Sequence, residues 1–173
     1  MKYFFTTLII ILFSIKIANS QEANGVIKTN PLGLLYSANL TYEKPLNETS
    51  SVILRVRYYH QRLNFTVNEE ETNAITKGSM DFKFGYRYYL SKSHEAPNGF
   101  YISPTATLYL RAEEKDSYFA YRPKKTIINA GAHAGRQWLW GKFAFDIYGG
   151  FDIHFDDDTA FMPVGGLSIG FAH

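Results

Sequence analysis

The 173-residue sequence contains no cysteine, which excludes disulfide frameworks, thiolate metal ligands and cysteine nucleophiles. After residue 20 it has no apolar run long enough for a membrane-spanning helix, which needs about 20 residues. It also has little net charge, because 18 basic residues stand against 16 acidic ones. The basic excess typical of nucleic-acid-binding proteins is therefore missing, and we expect no nucleic-acid partner.

Residues 1–20 have the composition of a secretory signal peptide. Lys2 provides a positive start, an apolar stretch covers 4–15, and Ala18-Asn19-Ser20 offers a small-residue cleavage site. An uncleaved membrane anchor is the alternative, but the apolar stretch is short for one. Cleavage would remove two lysines and no acid, so that 16 basic residues would balance 16 acidic ones. We expect residues 21–173 to form a single exported domain.

Hydrophobicity alternates with a period of two through the rest of the chain. This is the period of a β-strand with one apolar and one polar face. Turn-forming residues divide the chain into eight such runs, at about 26–33, 37–46, 50–64, 77–91, 98–112, 124–140, 142–156 and 161–172. Most of the runs reach the length of about 9–11 residues that a tilted membrane strand needs.

Aromatic residues on the apolar face and charges of both signs on the polar face indicate a barrel whose apolar face meets lipid. The predicted fold is an all-β, eight-stranded antiparallel up-and-down transmembrane β-barrel, since strands in lipid need both edges paired. Longer polar loops at 65–76 and 113–123 alternate with tight turns near 47–49 and 141, as in bacterial outer-membrane barrels. The alternative is a soluble sandwich or lipocalin-like carrier, whose apolar face would point inward.

Aromatic residues gather where the strands would cross the interface on the side of the tight turns. The predicted girdle consists of Tyr88, Phe100, Trp138, Trp140, Phe143 and Phe171. Amphipathic rings favour that depth in a bilayer. Two residues disturb the pattern. Pro104 lies in mid-strand, where we expect a bulge or a local break. Arg136 shares the outward face, where its charge would have to reach the interface.

The inward face collects most of the charges. Its predicted members are Lys28, Glu43, Arg55, Arg57, Asp81, Lys83, Arg87, Arg111, His133, Asp146, Asp152 and His154. An eight-stranded barrel is only wide enough to be filled by its own side chains, and charges packed there must pair. We therefore expect a closed lumen without a cofactor. A narrow polar pore or a small-ligand site is the alternative.

Few residues suggest catalysis or metal binding. His133, Asp152 and His154 share a face and have the chemistry of metal ligands, but their spacing is not that of a tight site, and we expect no metal. His60 is the one candidate residue for a lipid-modifying enzyme, without a serine and an acid clearly beside it. The sequence has no His-Glu-x-x-His motif. We expect a protein that is not an enzyme.

Two segments carry a resemblance to a family. They are the opening Val26-Ile27-Lys28-Thr29-Asn30-Pro31-Leu32 with Asn39-Leu40-Thr41-Tyr42-Glu43, and the closing Val164-Gly165-Gly166-Leu167-Ser168-Ile169-Gly170-Phe171. The chain resembles an uncharacterised (DUF-type) family of small outer-membrane barrels common in Bacteroidetes, in which a lysine-x-asparagine strand precedes a second strand ending in tyrosine-glutamate. The resemblance implies an eight-stranded outer-membrane barrel without an established activity.

The sequence thus predicts a Gram-negative outer-membrane protein that is structural or interacts through its outer loops. The expected partners are outer-membrane lipid, lipopolysaccharide, the barrel-assembly machinery and, at the loops, an extracellular protein or glycan. Loop 113–123 carries Tyr118, Phe119 and Tyr121 next to Arg122, and Lys124 follows it. Aromatic and basic residues together suit contacts of this kind.

Overall fold

Eight strands of the chain close into an antiparallel barrel, which confirms the predicted all-β, eight-stranded antiparallel fold. This computed structural model describes residues 24–61, 63–67, 70–75, 77–90, 96–113, 124–155 and 160–173. The expected signal peptide at 1–20 and nearly all of loop 113–123 lie outside the described residues. Within them, no helix is both long enough and apolar enough to cross a bilayer.

The described strands run in chain order around the barrel, with one excursion. They are β1 (Val26–Thr29), β2 (Ser37–Asn47), β3 (Ser50–Tyr59), β4 (Leu63–Val67), β5 (Glu70–Ile75), β6 (Met80–Tyr89), β7 (Gly99–Arg111), β8 (Lys125–Trp140), β9 (Phe143–Phe155) and β10 (Ala160–Ala172). Each barrel strand pairs with its neighbours in order, and β1 pairs with both β2 and β10, which closes the barrel. The excursion is the β4–β5 hairpin, a separate two-stranded sheet.

The two ends of the barrel differ. The terminal end holds the start of β1, the end of β10 and the tight turns 48–49 and 141–142. At the opposite end, the loop end, a 3-10 helix leads from β1 to β2, and the hairpin links β3 to β6. Part of the sequence prediction is wrong here. The strand expected over 50–64 ends at Tyr59, and much of the expected loop 65–76 is the β4–β5 hairpin.

Side chains alternate between the interior and the outer surface. In β6, Asp81 and Lys83 are buried, whereas Phe82 and Phe84 are exposed. Among the described residues, 18 buried side chains are polar or charged and eight are hydrophobic. This is the reverse of a soluble core, because charged side chains are normally among the most exposed. The sequence dictates this inversion, since most of its charges and most of its large apolar residues have opposite parity along the barrel strands.

Pro104 interrupts one side of β7 without displacing it. Pairing between β6 and β7 stops after Gly85↔Thr105 and resumes at Tyr88↔Ile102 in unchanged register. Pairing between β7 and β8 continues through the proline. The predicted disturbance is therefore a local break in one ladder rather than a bulge, as expected for a residue that has no N–H to donate.

Candidate functional site: the charged interior

A balanced group of charges fills the barrel at its terminal end. This terminal-end cluster consists of Lys28, Glu43, Arg87, Gln137 and Asp146. Lys28 Nζ donates to Glu43 at 2.6 Å and to Asp146 at 3.0 Å. Arg87 donates to the same two carboxylates, at 3.0 and 2.8 Å. The Oε1 atom of Gln137 accepts from both cations. Two cations thus share two carboxylates and one amide.

Three hydroxyl groups complete the hydrogen bonding of the carboxylates. Ser51 and Tyr89 both donate to Glu43 Oε1. Tyr101 donates to Asp146 at 2.8 Å. Hydrogen bonds to ionised groups are stronger than those between neutral groups, and in a buried network they reinforce one another.

The terminal-end cluster is sealed from solvent. Glu43 and Gln137 are 0% exposed, and Lys28 and Asp146 are 1% exposed. Gln137 also donates from Nε2 to the carbonyl of Pro97, at 2.6 Å, and so ties the cluster to the chain segment that precedes β7. Burying charges is costly unless they are paired and hydrogen-bonded, and here they are. The cluster therefore closes the lumen at this end.

A second group of charges lies nearer to the loop end. This loop-side cluster consists of Arg55, Arg57, Tyr59, Asp81, Lys83, His133 and Asp152. Asp81 accepts from Arg55 at 3.0 Å and from Tyr59 at 2.9 Å. Asp152 accepts from Lys83 at 3.0 Å, and its other oxygen lies 3.0 Å from His133 Nε2. Arg57 donates to the Tyr59 hydroxyl at 3.0 Å, and its Nε lies 3.6 Å from Asp81.

Little space remains between the two clusters. The cavity there has a volume of about 30 Å³ and is lined by side chains of both clusters. A cavity of about 10–15 Å³ holds one water molecule, so this cavity takes about two. Among the described residues, the interior is thus filled by side chains, as expected for eight strands, and is no wider than a hydrated crevice.

Glycines on the inward face make room for this filling. A Cβ atom on Gly131 would lie 2.0 Å from an Asp152 oxygen. A Cβ atom on Gly135 would lie 2.6 Å from the hydroxyl of Tyr101. Real Cβ atoms do not approach so closely, because interiors are close-packed and resist added volume. These two positions in β8 therefore require glycine so that residues on the neighbouring strands can reach the lumen.

Most of the predicted girdle lies in one belt on the outer surface at the terminal end. Centroid distances between successive rings are 6.4 Å for Trp138–Trp140, 6.1 Å for Trp140–Phe143 and 6.2 Å for Phe143–Phe171. Phe145, which is not a member of the predicted girdle, joins the belt with its ring centroid 5.5 Å from that of Trp138. Pairs at such distances stabilise one another.

Tyr88 and Phe100 extend this belt over β6 and β7. Both are exposed on the outward face. Tyr88 is the cross-strand partner of Ile102, two residues from Phe100. The Arg136 guanidinium lies 4.6 Å from the Phe100 ring and 4.9 Å from the Trp138 ring. An arginine with outward parity therefore lies between two aromatic members of the predicted girdle.

Two predicted lumen residues lie outside both clusters. Arg111 is half-buried at the end of β7, opposite Lys125, and His154 is half-buried near the end of β9, opposite Asn129. His154 was grouped with His133 and Asp152 as a candidate metal site. In the described part of the chain, no three side chains of His, Cys, Asp or Glu converge as a metal would require.

One catalytic sequence pattern lies in the wrong structural setting. Gly166-Leu167-Ser168-Ile169-Gly170 has the Gly-x-Ser-x-Gly spacing of a hydrolase nucleophile. That motif depends on a sharp strand-to-helix turn, whereas this segment lies within β10 in regular register with β9. Ser168 is the cross-strand partner of Asp146 and faces the interior cavity. His60 lies at the loop end, where its backbone N–H donates to the Tyr36 carbonyl.

The sequence prediction missed the neutral side chains that belong to the two clusters or donate hydrogen bonds to them. They are Ser51, Tyr59, Tyr89, Tyr101 and Gln137, and all have inward parity. Parity was the available signal, because a polar group placed inward has to find a partner. A search for charges alone passes over them.

No family model, curated protein or solved structure matches the chain. Inferences about function therefore rest on the barrel itself.

Proposed function

We propose that this chain is an outer-membrane barrel that serves as a structural or surface-interaction protein, without transport through its lumen. The observation that carries the proposal is the inverted arrangement of the fold, with charges buried inside and large apolar side chains exposed outside. Lipid is the solvent that suits such an exterior, and a closed barrel leaves no unpaired strand edge in it. A soluble lipocalin-like carrier needs the opposite orientation.

The closed lumen favours a scaffold over a channel. The terminal-end cluster blocks the interior with paired charges that are almost fully buried. The cavity beyond it, about 30 Å³, takes about two water molecules and no larger solute. Channels through barrels need more strands than eight.

The two ends suggest the orientation in the membrane. Tight turns lie at the terminal end, whereas the β4–β5 hairpin and the ends of β7 and β8 that flank loop 113–123 lie at the loop end. Bacterial outer-membrane barrels have short periplasmic turns and longer outer loops. In this proposal the loop end faces the exterior and offers an extracellular protein or glycan a contact. Outer-membrane lipid and lipopolysaccharide surround the strands, and the barrel-assembly machinery inserts them. Membership of the Bacteroidetes barrel family is part of the same proposal.

Fractionation with gel mobility tests the proposed location. The full chain, with residues 1–20, is expressed in a Gram-negative host, and the outer-membrane fraction is run on a gel with and without boiling. We expect enrichment in that fraction and a band that shifts on boiling, because a folded barrel resists detergent. A soluble periplasmic product without a shift would overturn the proposal and favour the carrier.

Epitope tags test the orientation. One tag is inserted after Glu113 at the loop end and a matched tag after Lys142 in the tight turn at the terminal end. Antibody added to intact cells should label only the first tag. Labelling of only the second tag would reverse the orientation, and labelling of neither would contradict surface exposure.

Deletion of residues 114–123 tests the surface interaction. The variant should keep its heat-dependent gel shift, because the deletion leaves β7, which ends at Arg111, and β8, which begins at Lys125, intact. Its binding to immobilised glycans and extracellular proteins should fall to background, compared with the intact barrel. Equal binding by both proteins would exclude this loop as the contact.

A further inference from the structure

We propose that Arg136 and the groove beside it bind one anionic phospholipid at the terminal end, with the lipid phosphate on the guanidinium and an acyl chain in the groove. The inference rests on the proposed membrane location and adds a specific lipid partner to it. It starts from the charges that the outward face carries.

Arg136 is out of place on this surface. The outward positions of the described barrel strands carry only two charged residues, Lys44 and Arg136. Lys44 lies next to the irregularity at Pro45, close to the tight turn that follows β2. Arg136 lies two residues farther from the terminal end than Trp138 and is the cross-strand partner of Phe100, so it lies within the aromatic belt. A lipid-facing arginine inside the apolar band is unfavourable unless its charge finds a partner.

Among the described residues, aromatic rings hold the guanidinium and no carboxylate pairs with it. The rings of Phe100 and Trp138 hold it at 4.6 and 4.9 Å from their centroids. Such contacts position a cation and leave its N–H groups free to bind an anion. Phosphate is the anion available at the interface of a bilayer, and its geometry matches the guanidinium fork.

An open apolar groove of about 620 Å³ adjoins Arg136 on the outer surface. Its lining includes Leu90, Ile102, Ala134, Ile147 and Gly149. An acyl chain that extends from a phosphate on the guanidinium would enter this groove directly.

Gly149 forms part of the groove where no contact within the chain requires a glycine. A Cβ atom there would meet only the Val164 carbonyl, at 3.9 Å, whereas one on the inward Gly135 would clash at 2.6 Å. Pairing on both sides of Gly149 is regular, so the residue does not mark a bulge. A glycine in a strand interior weakens the strand and often marks the close approach of a ligand.

The charge also argues against a second copy of the chain as the occupant. A two-fold symmetric contact across this groove would bring Arg136 towards its own equivalent, and two unpaired cations repel each other. An anionic lipid neutralises the charge and fills the apolar space at once.

Trp138 provides a local probe. The chain has two tryptophans, Trp138 and Trp140, so that a Trp140→Phe background leaves only the ring next to Arg136. This barrel is reconstituted in phosphatidylcholine vesicles that contain rising fractions of brominated phosphatidylglycerol or of brominated phosphatidylcholine. Quenching of Trp138 then measures the relative affinity of the two lipids. We expect about fivefold preference for phosphatidylglycerol, equivalent to about 1 kcal/mol for one interfacial basic residue.

Matched variants isolate the site, and a gel shift on boiling verifies that each one is folded. Arg136→Gln should abolish the preference and Arg136→Lys should retain most of it. Lys44→Gln removes the other outward charge and should leave the preference unchanged. Gly149→Leu adds a side chain to the groove at a position where a Cβ atom has no contact shorter than 3.9 Å, and it should reduce the preference although Arg136 is intact.

The outcomes separate this inference from the function on which it rests. Equal quenching by both lipids, or a preference that survives in Arg136→Gln, would overturn the lipid site and leave the membrane location standing. Quenching by neither lipid would place Trp138 outside the bilayer and overturn both. A concentration-dependent dimer with equal quenching by both lipids would assign the groove to a second copy and overturn the site.

Discussion

Removal of one buried carboxylate tests the interior directly. Glu43 accepts hydrogen bonds from Lys28, Arg87, Ser51 and Tyr89 and is fully buried. Glu43→Gln keeps the size of the side chain and removes its charge. The terminal-end cluster would then hold two cations and the single carboxylate of Asp146.

The magnitude follows from the uncompensated charge. Breaking a buried ion pair by removing one partner costs about 3–5 kcal/mol, because the remaining charge stays buried. Adding Lys28→Met to Glu43→Gln removes the uncompensated positive charge. The double variant therefore has one cation, Arg87, and one carboxylate, Asp146. The double variant should therefore be more stable than the sum of the single effects predicts, with a coupling energy of about 2 kcal/mol.

Urea unfolding of the barrel in lipid vesicles, followed by tryptophan fluorescence, measures these differences. Glu48→Gln is the matched control, because Glu48 is exposed in the turn after β2 and its charge should contribute less than about 0.5 kcal/mol. A loss below about 1 kcal/mol for Glu43→Gln, or additive effects in the double variant, would refute the view that these charges depend on one another.

Two further substitutions probe the packing of each face. Gly131→Ala should destabilise the barrel by about 1–3 kcal/mol, because its Cβ would lie 2.0 Å from an Asp152 oxygen. Gly149→Ala should be tolerated, because its Cβ would meet only the Val164 carbonyl, at 3.9 Å. Urea unfolding of both variants measures the two losses of stability, and equal losses would contradict this prediction. Phe84→Lys places a charge in the middle of the outward face of β6 and should cost about 2–4 kcal/mol in vesicles. Unchanged stability of Phe84→Lys in lipid would count against contact of this face with the bilayer.

The strands, and the side of each strand that is buried, could be predicted from the local alternation of apolar and polar residues. Alternation in 80–89 depends only on the two-residue period, so it indicated which side of β6 would be buried before any partner strand was known. The partner of each charge did not follow in the same way. Lys28 meets Glu43, 15 positions away, and Asp146, 118 positions away. Such meetings depend on the stagger of strands around the closed barrel, which no local pattern encodes.

The errors have physical causes as well. The β4–β5 hairpin was assigned in part to β3 and in part to a loop, although residues 63–67 continue the alternation with Leu63, Phe65 and Val67. A run of three glutamates at 69–71 outweighed that pattern. The groove beside Arg136 could not be seen in the sequence, because it combines residues from three strands, β7, β8 and β9, with Leu90. Only the mismatch of an arginine with its outward parity pointed to the place.

Spin labels on alternate residues test the central claim most directly, namely that the apolar face meets lipid and the opposite face is enclosed. The chain has no cysteine, so single cysteines at Phe82, Phe84, Tyr86 and the inward Thr107 each carry one label. Collision rates with oxygen, which dissolves in lipid, and with a water-soluble nickel chelate are then measured on the barrel in vesicles. We predict high oxygen and low nickel accessibility at the three outward positions, and low accessibility to both at Thr107. High nickel accessibility at Phe82, Phe84 and Tyr86 would show that this face meets water and would contradict the account.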